Sequence, residues 1–213
     1  MYPAKQTFLV LGLSRSGCAA AEFLLERKAK VYIYDDVPGE GVEKSARLLE
    51  DKGAVRADKE QLPRMQEICD ALVLSPGIPI DHPTAVAFKR SGKAVVGETE
   101  LAARYMRCPV VAVTGTNGKT TTVSMLEKIL SEGGYKAQAC GNIGSPMVKY
   151  AELKEDEVAV AEISSFQLET LNSLCPHVGV VLNVTEDHLN RHYNMENYIF
   201  LKSKLLKNST ESE

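Results

Sequence analysis

Residues 108–135, "CPVVAVTGTNGKTTTVSMLEKILSEGGY", contain an apolar strand pattern, a glycine loop and a long helical pattern that ends at Gly-Gly. Within them, "VTGTNGKTT" (113–121) resembles the end of the phosphate-binding pattern G-x-x-x-x-G-K-[ST]. Val113 stands where the first glycine belongs, and the nearest glycine before Gly118 is Gly115. A bound phosphate requires backbone N–H groups at a helix N-terminus, a lysine ammonium and a hydroxyl that holds Mg²⁺. Because the stretch contains all three, it predicts a strand–loop–helix unit that binds a nucleotide phosphate.

The residues of this loop have individual roles in the prediction. Asn117 and Gly118 turn the backbone towards an anion, Lys119 reaches the β- and γ-phosphates of ATP, and Thr120 holds Mg²⁺. The predicted ATP-binding residues are Gly115, Thr116, Asn117, Gly118, Lys119, Thr120 and Thr121. The alternative is a purely structural turn that carries Gly-Lys-Thr by chance. It is disfavoured because a strand and a long helix both flank the loop, as the motif requires.

Short apolar runs alternate with helical patterns along the chain, as where "TFLVLGL" (7–13) precedes "SGCAAAEFLLERK" (16–28). Such alternation predicts parallel sheets with crossover helices. Since it begins again at the phosphate loop, we predict an α/β protein of two domains. A Rossmann-like parallel-sheet domain occupies residues 1–98, and a P-loop-type α/β ATPase domain occupies residues 99–213. The helical pattern "ETELAARYM" (98–106) leads from one into the other.

A second glycine loop, "LGLSRSG" (11–17), follows the first strand and opens a helix, as a Rossmann fingerprint does. The fingerprint requires glycine at position 14, where this chain has Ser14, so NAD is the weaker interpretation. A different nucleotide could use Gly12 and the hydroxyls of Ser14 and Ser16, while Asp35 accepts a hydrogen bond from a base or ribose. The alternative is that the glycines only permit a tight strand-to-helix turn.

Polar side chains follow three other strand patterns. Ser75 begins "SPG" (75–77) at the end of one strand, and Glu162 ends the strand of "VAVAEISSFQLE" (158–169). A carboxylate at a strand end beside a phosphate loop is placed to bind a metal, and ligands of open α/β sheets bind at the carboxyl edge. His188 follows the strand in "VGVVLNVTEDHLNRH" at the same edge. A lone histidine is more often a surface residue than a ligand, so both interpretations stay open.

Composition excludes several classes of protein. The 213 residues carry a net charge of −3 and no block of Lys and Arg, so a nucleic-acid surface is not expected. The five cysteines are widely spaced and form no C-x-x-C pair, which predicts neither disulfides nor a zinc site and favours the reducing cytoplasm. No apolar run is long enough for a signal peptide or a membrane span. We therefore expect a soluble cytoplasmic protein that binds no membrane.

Four motifs resemble a known family when they are taken together in this order: "VTGTNGKTT", "GNIG" (141–144), "EISSFQLE" and "NVTEDHLNRH". They are similar to those of the Mur ligases, the ATP-dependent amide-forming enzymes of peptidoglycan synthesis. "SSFQLE" resembles the member that adds D-glutamate to UDP-N-acetylmuramoyl-L-alanine. The resemblance covers nearly the whole chain and accounts for the missing glycine, because the loop of this family has the form G-[ST]-N-G-K-[ST].

The resemblance implies roles for individual residues. Lys119 contacts the ATP phosphates, Thr120 and Glu162 hold one Mg²⁺, and His188 serves a second. Asn142, supported by Ser164, faces the muramoyl part of the substrate. In the first domain, the residues that would hold the uridine diphosphate or lie at the same edge are Ser14, Arg15, Ser16, Asp35 and Ser75.

The resemblance also implies a carbamylated lysine that bridges the metals. "MENYIFLK" (195–202) makes Lys202 the match to the family pattern, with Lys204 as the neighbour that could be confused with it. Only a lysine deprotonated by burial or by nearby charge can be carbamylated. Without the resemblance, Lys202 is expected to be a surface lysine on a helix.

We therefore expect an ATP- and Mg²⁺-dependent ligase that acts as a monomer, with Lys119, His188 and Lys202 as catalytic residues. The chain stops shortly after Lys202, so we expect a partial central domain and doubtful catalysis by the chain alone. Alternatives are another Mur ligase, a folylpolyglutamate synthetase, or a non-catalytic fragment that binds a UDP-sugar or nucleotide. An NAD-dependent dehydrogenase is disfavoured by Ser14.

Overall fold

The computed structural model describes residues 4–207. Its contacts divide the chain into two compact units, Met1–Leu101 and Ala102–Glu213. The division falls inside the helix Glu98–Ala103, which also contains the predicted boundary between residues 98 and 99. The predicted domain limits stay a prediction, and the end of the second predicted domain, residues 208–213, lies outside the described residues.

The first unit is a parallel α/β sheet with the strand order β3-β2-β1-β4-β5 in the described part of the chain. Its elements are β1 (Thr7–Leu11), α1 (Arg15–Glu26), β2 (Lys30–Tyr34), α2 (Glu40–Asp51), β3 (Val55–Arg56), a 3-10 helix (Lys59–Arg64), α3 (Met65–Ile68), β4 (Ala71–Leu74), α4 (Pro83–Arg90), β5 (Ala94–Val96) and α5 (Glu98–Ala103). The central strands β1 and β4 are almost wholly buried. Strands covered on both faces read as continuous apolar runs, which is why "FLVL" and "ALVL" lack alternation.

The second unit repeats this architecture with the strand order β7-β8-β6-β9, all parallel, among the residues described. Its elements are β6 (Val110–Thr114), α6 (Lys119–Glu132), β7 (Lys136–Gly141), a 3-10 helix (Met147–Tyr150), β8 (Glu157–Glu162), α7 (Ser165–Leu168), β9 (Val178–Val181), α8 (Leu189–His192) and α9 (Met195–Lys207). Val113, Val123, Ala137 and Val160 form a buried core that joins α6 to the sheet.

The predicted fold class, two parallel-sheet α/β domains in tandem, is confirmed. One predicted element is shorter in the structure: the helix predicted over residues 98–106 ends at Ala103. Within residues 4–207, no helix is both long and apolar enough to cross a membrane.

Candidate functional site

The glycine loop of the second unit connects β6 to α6. Gly115 and Gly118 have φ values of +156° and +84°, and Gly118 caps the N-terminus of α6 in a left-handed conformation that favours glycine. Asn183 fixes this loop from the end of a neighbouring strand. Its Oδ1 accepts from the N–H groups of Thr116 (3.2 Å) and Asn117 (3.0 Å), and its Nδ2 donates to the Asn117 carbonyl (3.1 Å).

No role for Asn183 followed from the sequence, although it was visible there as a polar residue after a strand pattern. Thr116 is held again by Thr185, whose N–H donates to its hydroxyl at 3.0 Å, while that hydroxyl donates to the Thr185 carbonyl at 3.1 Å. These contacts bring the "NVT" segment against the phosphate loop. They fix the conformation of the loop before a ligand binds, and because Asn183 already accepts from the N–H groups of Thr116 and Asn117, the N–H groups at the start of α6 are the ones left for a phosphate.

Lys119 and Thr120 point to different partners from the first turn of α6. The Lys119 ammonium donates to the carbonyl oxygens of Gly115 (2.9 Å) and Thr116 (2.8 Å) and so folds over the loop. The Thr120 hydroxyl donates to Glu162 Oε2 at 2.8 Å. Thr121, the last predicted ATP-binding residue, is exposed in the same turn.

Glu162 is buried at the end of β8, with 1% of its surface exposed. Its second oxygen, Oε1, accepts from Asn142 Nδ2 at 2.7 Å, so one carboxylate joins the phosphate-loop helix to the "GNIG" turn. Gly141 permits this approach, because a Cβ there would lie 2.3 Å from the Glu162 carbonyl oxygen. The sequence predicted Glu162 beside the phosphate loop at the carboxyl edge of the sheet, and the structure places it there; its contact with Asn142 was not predicted.

A cavity of about 160 Å³ opens beside the loop. It is lined by Gly115, Thr116, Lys119, Asn142, Ser164, Ser165, Phe166, Asp187, His188, Tyr198 and Lys202. Predicted ATP-site, substrate-site and metal-site residues therefore surround one space, although up to 87 positions separate them along the chain. Ser164 caps α7, and its hydroxyl donates to Gln167 Oε1 at 3.0 Å.

Lys202 is the most unusual residue of this cavity. Only 1% of its surface is exposed, its Nζ donates to the Gly115 carbonyl at 2.8 Å, and Nζ lies 4.6 Å from the centre of the Tyr198 ring. Burial, followed by the positive charge of Lys119, lowers the pKa of Lys202 to about 8. The interpretation of Lys202 as a surface lysine is therefore wrong. Lys204 turns elsewhere, and its Nζ donates to the Leu168 carbonyl at 2.6 Å.

Oxygen atoms suitable for Mg²⁺ are present at Thr120 and Glu162, because Mg²⁺ prefers carboxylate and hydroxyl ligands. No cluster of three or more His, Cys, Asp and Glu side chains that could hold a metal occurs among the described residues. A Mg²⁺ ion here would therefore need oxygens from a nucleotide or water as well. His188 lines the cavity with its side chain 48% exposed and its Nε2 3.4 Å from Asp187 Oδ2. Its role as a ligand stays a prediction.

The first unit has its own cluster of predicted site residues. Ser14 Oγ lies 2.7 Å from Ser75 Oγ. Asp35 accepts from the N–H groups of Leu13 (2.6 Å) and Val37 (2.9 Å), so its carboxylate orders both loops at this edge. Arg15 is exposed and Ser16 half-buried in the first turn of α1.

Packing alone explains the glycines of this first loop. A Cβ on Gly12 would lie 2.7 Å from Ser75 Cβ, and one on Gly17 would lie 1.8 Å from the Gly12 carbonyl oxygen. Both glycines are thus required by the turn itself, as the purely structural interpretation holds. A preference for a ligand would therefore come from the other residues of this loop, of which Ser14 and Arg15 are exposed and Ser16 is half-buried.

Comparison with known proteins supplies independent information. Residues 6–97 match the model of the Mur ligase MurD-like N-terminal domain, and residues 113–213 match that of the Mur ligase middle domain. A UDP-N-acetylmuramoylalanine--D-glutamate ligase of Koribacter versatilis is 41% identical over 206 residues, which are 96% of this chain and 46% of that protein. A UDP-N-acetylmuramoylalanine--D-glutamate ligase of a Thermoanaerobacter species is 42% identical over 211 residues, which are 96% of this chain and 45% of that protein. The chain thus spans about half the length of these relatives.

Solved structures agree on the fold. A UDP-N-acetylmuramate:L-alanyl-gamma-D-glutamyl-meso-diaminopimelate ligase from Neisseria meningitides aligns with a TM-score of 0.62 at 17% identity, over 98% of this chain and 70% of that one. A murein peptide ligase from Psychrobacter arcticus aligns with a TM-score of 0.54 at 16% identity, over 96% of this chain and 47% of that one. At such identities the likeness concerns the fold alone. With both of its units matched, the chain belongs to the Mur ligase family, of which it carries a MurD-like N-terminal domain and a middle domain.

Proposed function

We propose that a protein containing this chain is an ATP-dependent ligase that joins D-glutamate to UDP-N-acetylmuramoyl-L-alanine. One observation carries the proposal: Lys119, Asn142, Ser164, His188 and Lys202 surround a single cavity beside a preorganised phosphate loop. The curated relatives that carry this name support the choice of substrates. The chain spans about half of their length, so the activity is proposed for a protein that contains it, and none of its described residues is assigned to D-glutamate.

The chemistry follows from charge placement. A carboxylate oxygen of UDP-N-acetylmuramoyl-L-alanine, the acceptor, attacks the γ-phosphorus of ATP, and ADP leaves. The amine of D-glutamate then displaces phosphate from the resulting acyl phosphate and forms the amide. Phosphoryl transfer depends mainly on positioning and on stabilising negative charge. Lys119 would exchange the carbonyl oxygens of Gly115 and Thr116 for phosphate oxygens, which are stronger partners for an ammonium.

Thr120 and Glu162 would hold Mg²⁺, which when bound neutralises charge on the phosphates. His188 and a carbamylated Lys202 would hold a second ion. The lowered pKa of Lys202 supports this assignment, because carbamylation needs an uncharged amine and burial favours that form. Asn142 would orient the acceptor while it holds Glu162 in place.

In the first unit, the edge that carries Ser14 and Ser75 would bind the uridine diphosphate, with Asp35 ordering the two loops around it. The ligase would work as a cytoplasmic monomer. A second candidate is a non-catalytic protein: the Ser14–Ser75 edge and the phosphate loop lie in separate units, so each would bind the UDP-sugar or ATP without two substrates being joined. Another Mur ligase or a folylpolyglutamate synthetase would share the phosphate loop but take a different acceptor.

The test uses a completed protein, in which this chain is followed by the C-terminal half of the Koribacter versatilis relative. We expect phosphate release that requires ATP, Mg²⁺, UDP-N-acetylmuramoyl-L-alanine and D-glutamate together. Because the added half comes from a D-glutamate ligase, the discriminating substrates are the acceptors that this chain would bind: UDP-N-acetylmuramic acid and folate compete with UDP-N-acetylmuramoyl-L-alanine. Turnover with one of these acceptors in preference to UDP-N-acetylmuramoyl-L-alanine would assign the chain to a sister ligase. Binding of both nucleotides without turnover in any mixture would favour the non-catalytic alternative.

A further inference from the structure

A second cluster of reactive side chains lies behind the predicted ligase residues. Ser165 Oγ is 3.0 Å from His192 Nε2, and His192 Nδ1 is 3.5 Å from Glu169 Oε1. Glu169 accepts two hydrogen bonds from the guanidinium of Arg191: Nε donates to Oε1 at 2.9 Å, and Nη2 donates to Oε2 at 2.6 Å. The ligase reaction proposed above uses none of these four residues.

The positions of the protons follow from these contacts. Nδ1 of His192 faces a carboxylate oxygen, so it carries the ring proton, and Nε2 then has the lone pair. Ser165 must therefore donate its hydroxyl proton to His192. A serine hydrogen-bonded to a neutral histidine that is oriented by a carboxylate is the arrangement of an activated nucleophile.

Ser165 also has access to reactants, because it lines the cavity of about 160 Å³ that contains Lys119 and Lys202. The positive charge of Lys119 can stabilise an oxyanion that forms when a nucleophile attacks. The adjacent serine provides a contrast within the same cavity. Ser164 donates to Gln167 Oε1, and an amide oxygen is too weakly basic to take its proton.

We propose that Ser165 is a nucleophile, with His192 as its general base, that accepts acyl or sulfonyl groups from small electrophiles entering this cavity. Ser165 Oγ bonds to the carbonyl carbon of an activated ester, His192 Nε2 takes the hydroxyl proton, and the alcohol leaves with that proton. Water then hydrolyses the acyl-serine by the same route. The activity is separate from amide formation, so it needs neither ATP nor the half of the relatives' length that this chain does not span.

Methanesulfonyl fluoride tests the proposal on this chain, since its small group suits the small cavity. Attack by Ser165 forms the sulfonate ester and releases fluoride, and peptide mass spectrometry locates the adduct. We expect labelling at Ser165 and not at Ser164, which serves as an internal control. We also expect slower labelling in D₂O, because a proton moves in the attacking step. An unlabelled Ser165, or preferential labelling of Ser164, would overturn the proposal.

Two variants separate chemistry from structure. His192→Gln can keep a hydrogen bond to Ser165 but cannot serve as a base, so labelling should slow by a factor of roughly 10² or more. Ser165→Ala should abolish both labelling and the hydrolysis of p-nitrophenyl acetate above the buffer rate. Thermal unfolding identifies a misfolded variant, in which case the solvent isotope effect on the wild-type chain decides. Equal labelling of a folded His192→Gln variant, or no isotope effect, would show that His192 only positions Ser165.

Discussion

Lys202 donates a hydrogen bond of 2.8 Å to the carbonyl oxygen of Gly115, which lies 87 positions earlier in the chain. The same oxygen accepts a hydrogen bond from Lys119 at 2.9 Å. Two ammonium groups therefore converge on one carbonyl at the edge of a small cavity. Because both ammonium nitrogens lie within 3 Å of one oxygen, their like charges repel each other. An anion bound in the cavity would relieve this repulsion and would be stabilised by both charges.

Replacing Lys119 by Ala should reduce turnover of the completed protein by a factor of about 10² or more, because one preorganised charge at a transition state contributes about 3 kcal/mol. The measurement is kcat from ADP release. Lys128→Ala is the matched control, since Lys128 lies exposed on the same helix and pairs with Glu132. Near-normal turnover of the Lys119→Ala variant would show that this loop is not the ATP site.

Replacing Asn183 by Ala should weaken the binding of ATP·Mg²⁺ to this chain by about tenfold. The substitution removes the partners of the Asn117 N–H and of the Asn117 carbonyl, whereas the Thr116 N–H keeps its hydrogen bond of 3.1 Å to the backbone carbonyl of residue 183. Two hydrogen bonds of about 0.5–1.5 kcal/mol each account for a tenfold change, which corresponds to about 1.4 kcal/mol. Titration calorimetry measures the change. Asn190→Ala is the control, because Asn190 is exposed in α8. Unchanged affinity would mean that the phosphate loop keeps its conformation without the hydrogen bonds of the Asn183 side chain.

Local patterns predicted the fold because each strand–loop–helix unit is short and carries its own signals. The apolar run of β6, the glycines after it and the helical pattern of α6 are continuous in sequence. The clamp by Asn183 was missed for the opposite reason. It depends on β9 lying beside β6, and the strand order of a sheet is set by long-range packing that no local pattern encodes.

The same limit applies to the environment of side chains. Sequence and resemblance together selected Lys202 from its neighbours, but its burial depends on how α9 packs onto the phosphate loop. The contact of Ser165 with His192 joins two helices 27 positions apart and left no periodic signal in the sequence. Charge and hydroxyl chemistry can be read from residue types, whereas pKa values and activated pairs depend on tertiary contacts.

The first unit should bind UDP-N-acetylmuramoyl-L-alanine more tightly than NADH. Ser14 stands at the position of the middle fingerprint glycine, and its hydroxyl is paired with that of Ser75 at the ligand edge. Calorimetry with each ligand measures the preference. Ser14→Gly completes the G-x-G-x-x-G pattern and should narrow the difference. Tighter binding of NADH to the unaltered chain would contradict the assignment of this edge to a uridine nucleotide.

Replacing Lys202 by Ala in the completed protein should remove most activity, and a short carboxylic acid should restore part of it, since an added carboxylate can take the place of a carbamate. Lys204→Ala should have much less effect, because that side chain points to Leu168 and away from the cavity. Phosphate release with and without added acetate measures both. Equal damage from the two variants would place the functional lysine elsewhere.

The pH dependence of stability offers a test of Lys202 that needs no activity. Its pKa is lowered from 10.5 to about 8 in the folded chain, by burial first and by Lys119 second. Between these values the unfolded chain binds one more proton at this residue than the folded chain does. Stability contributed by Lys202 therefore rises with pH in this window, by up to about 1.4 kcal/mol for each pH unit. Below pH 8 both states are protonated and the cost of the buried charge is constant.

Lys202→Met removes this titration while it keeps an unbranched side chain of similar length. The Gly115 carbonyl still accepts from Lys119, so no buried acceptor loses its last partner. We expect the variant to be at least as stable as the wild-type chain at pH 7, and the wild-type chain to gain on it steadily from pH 8 to pH 10. Urea unfolding of both proteins in bicarbonate-free buffers measures the difference, in which the titrations of groups distant from Lys202 cancel. A difference that stays constant over this range would show that the lysine is charged and adequately solvated in the folded chain, and the carbamylation proposal would lose its physical basis.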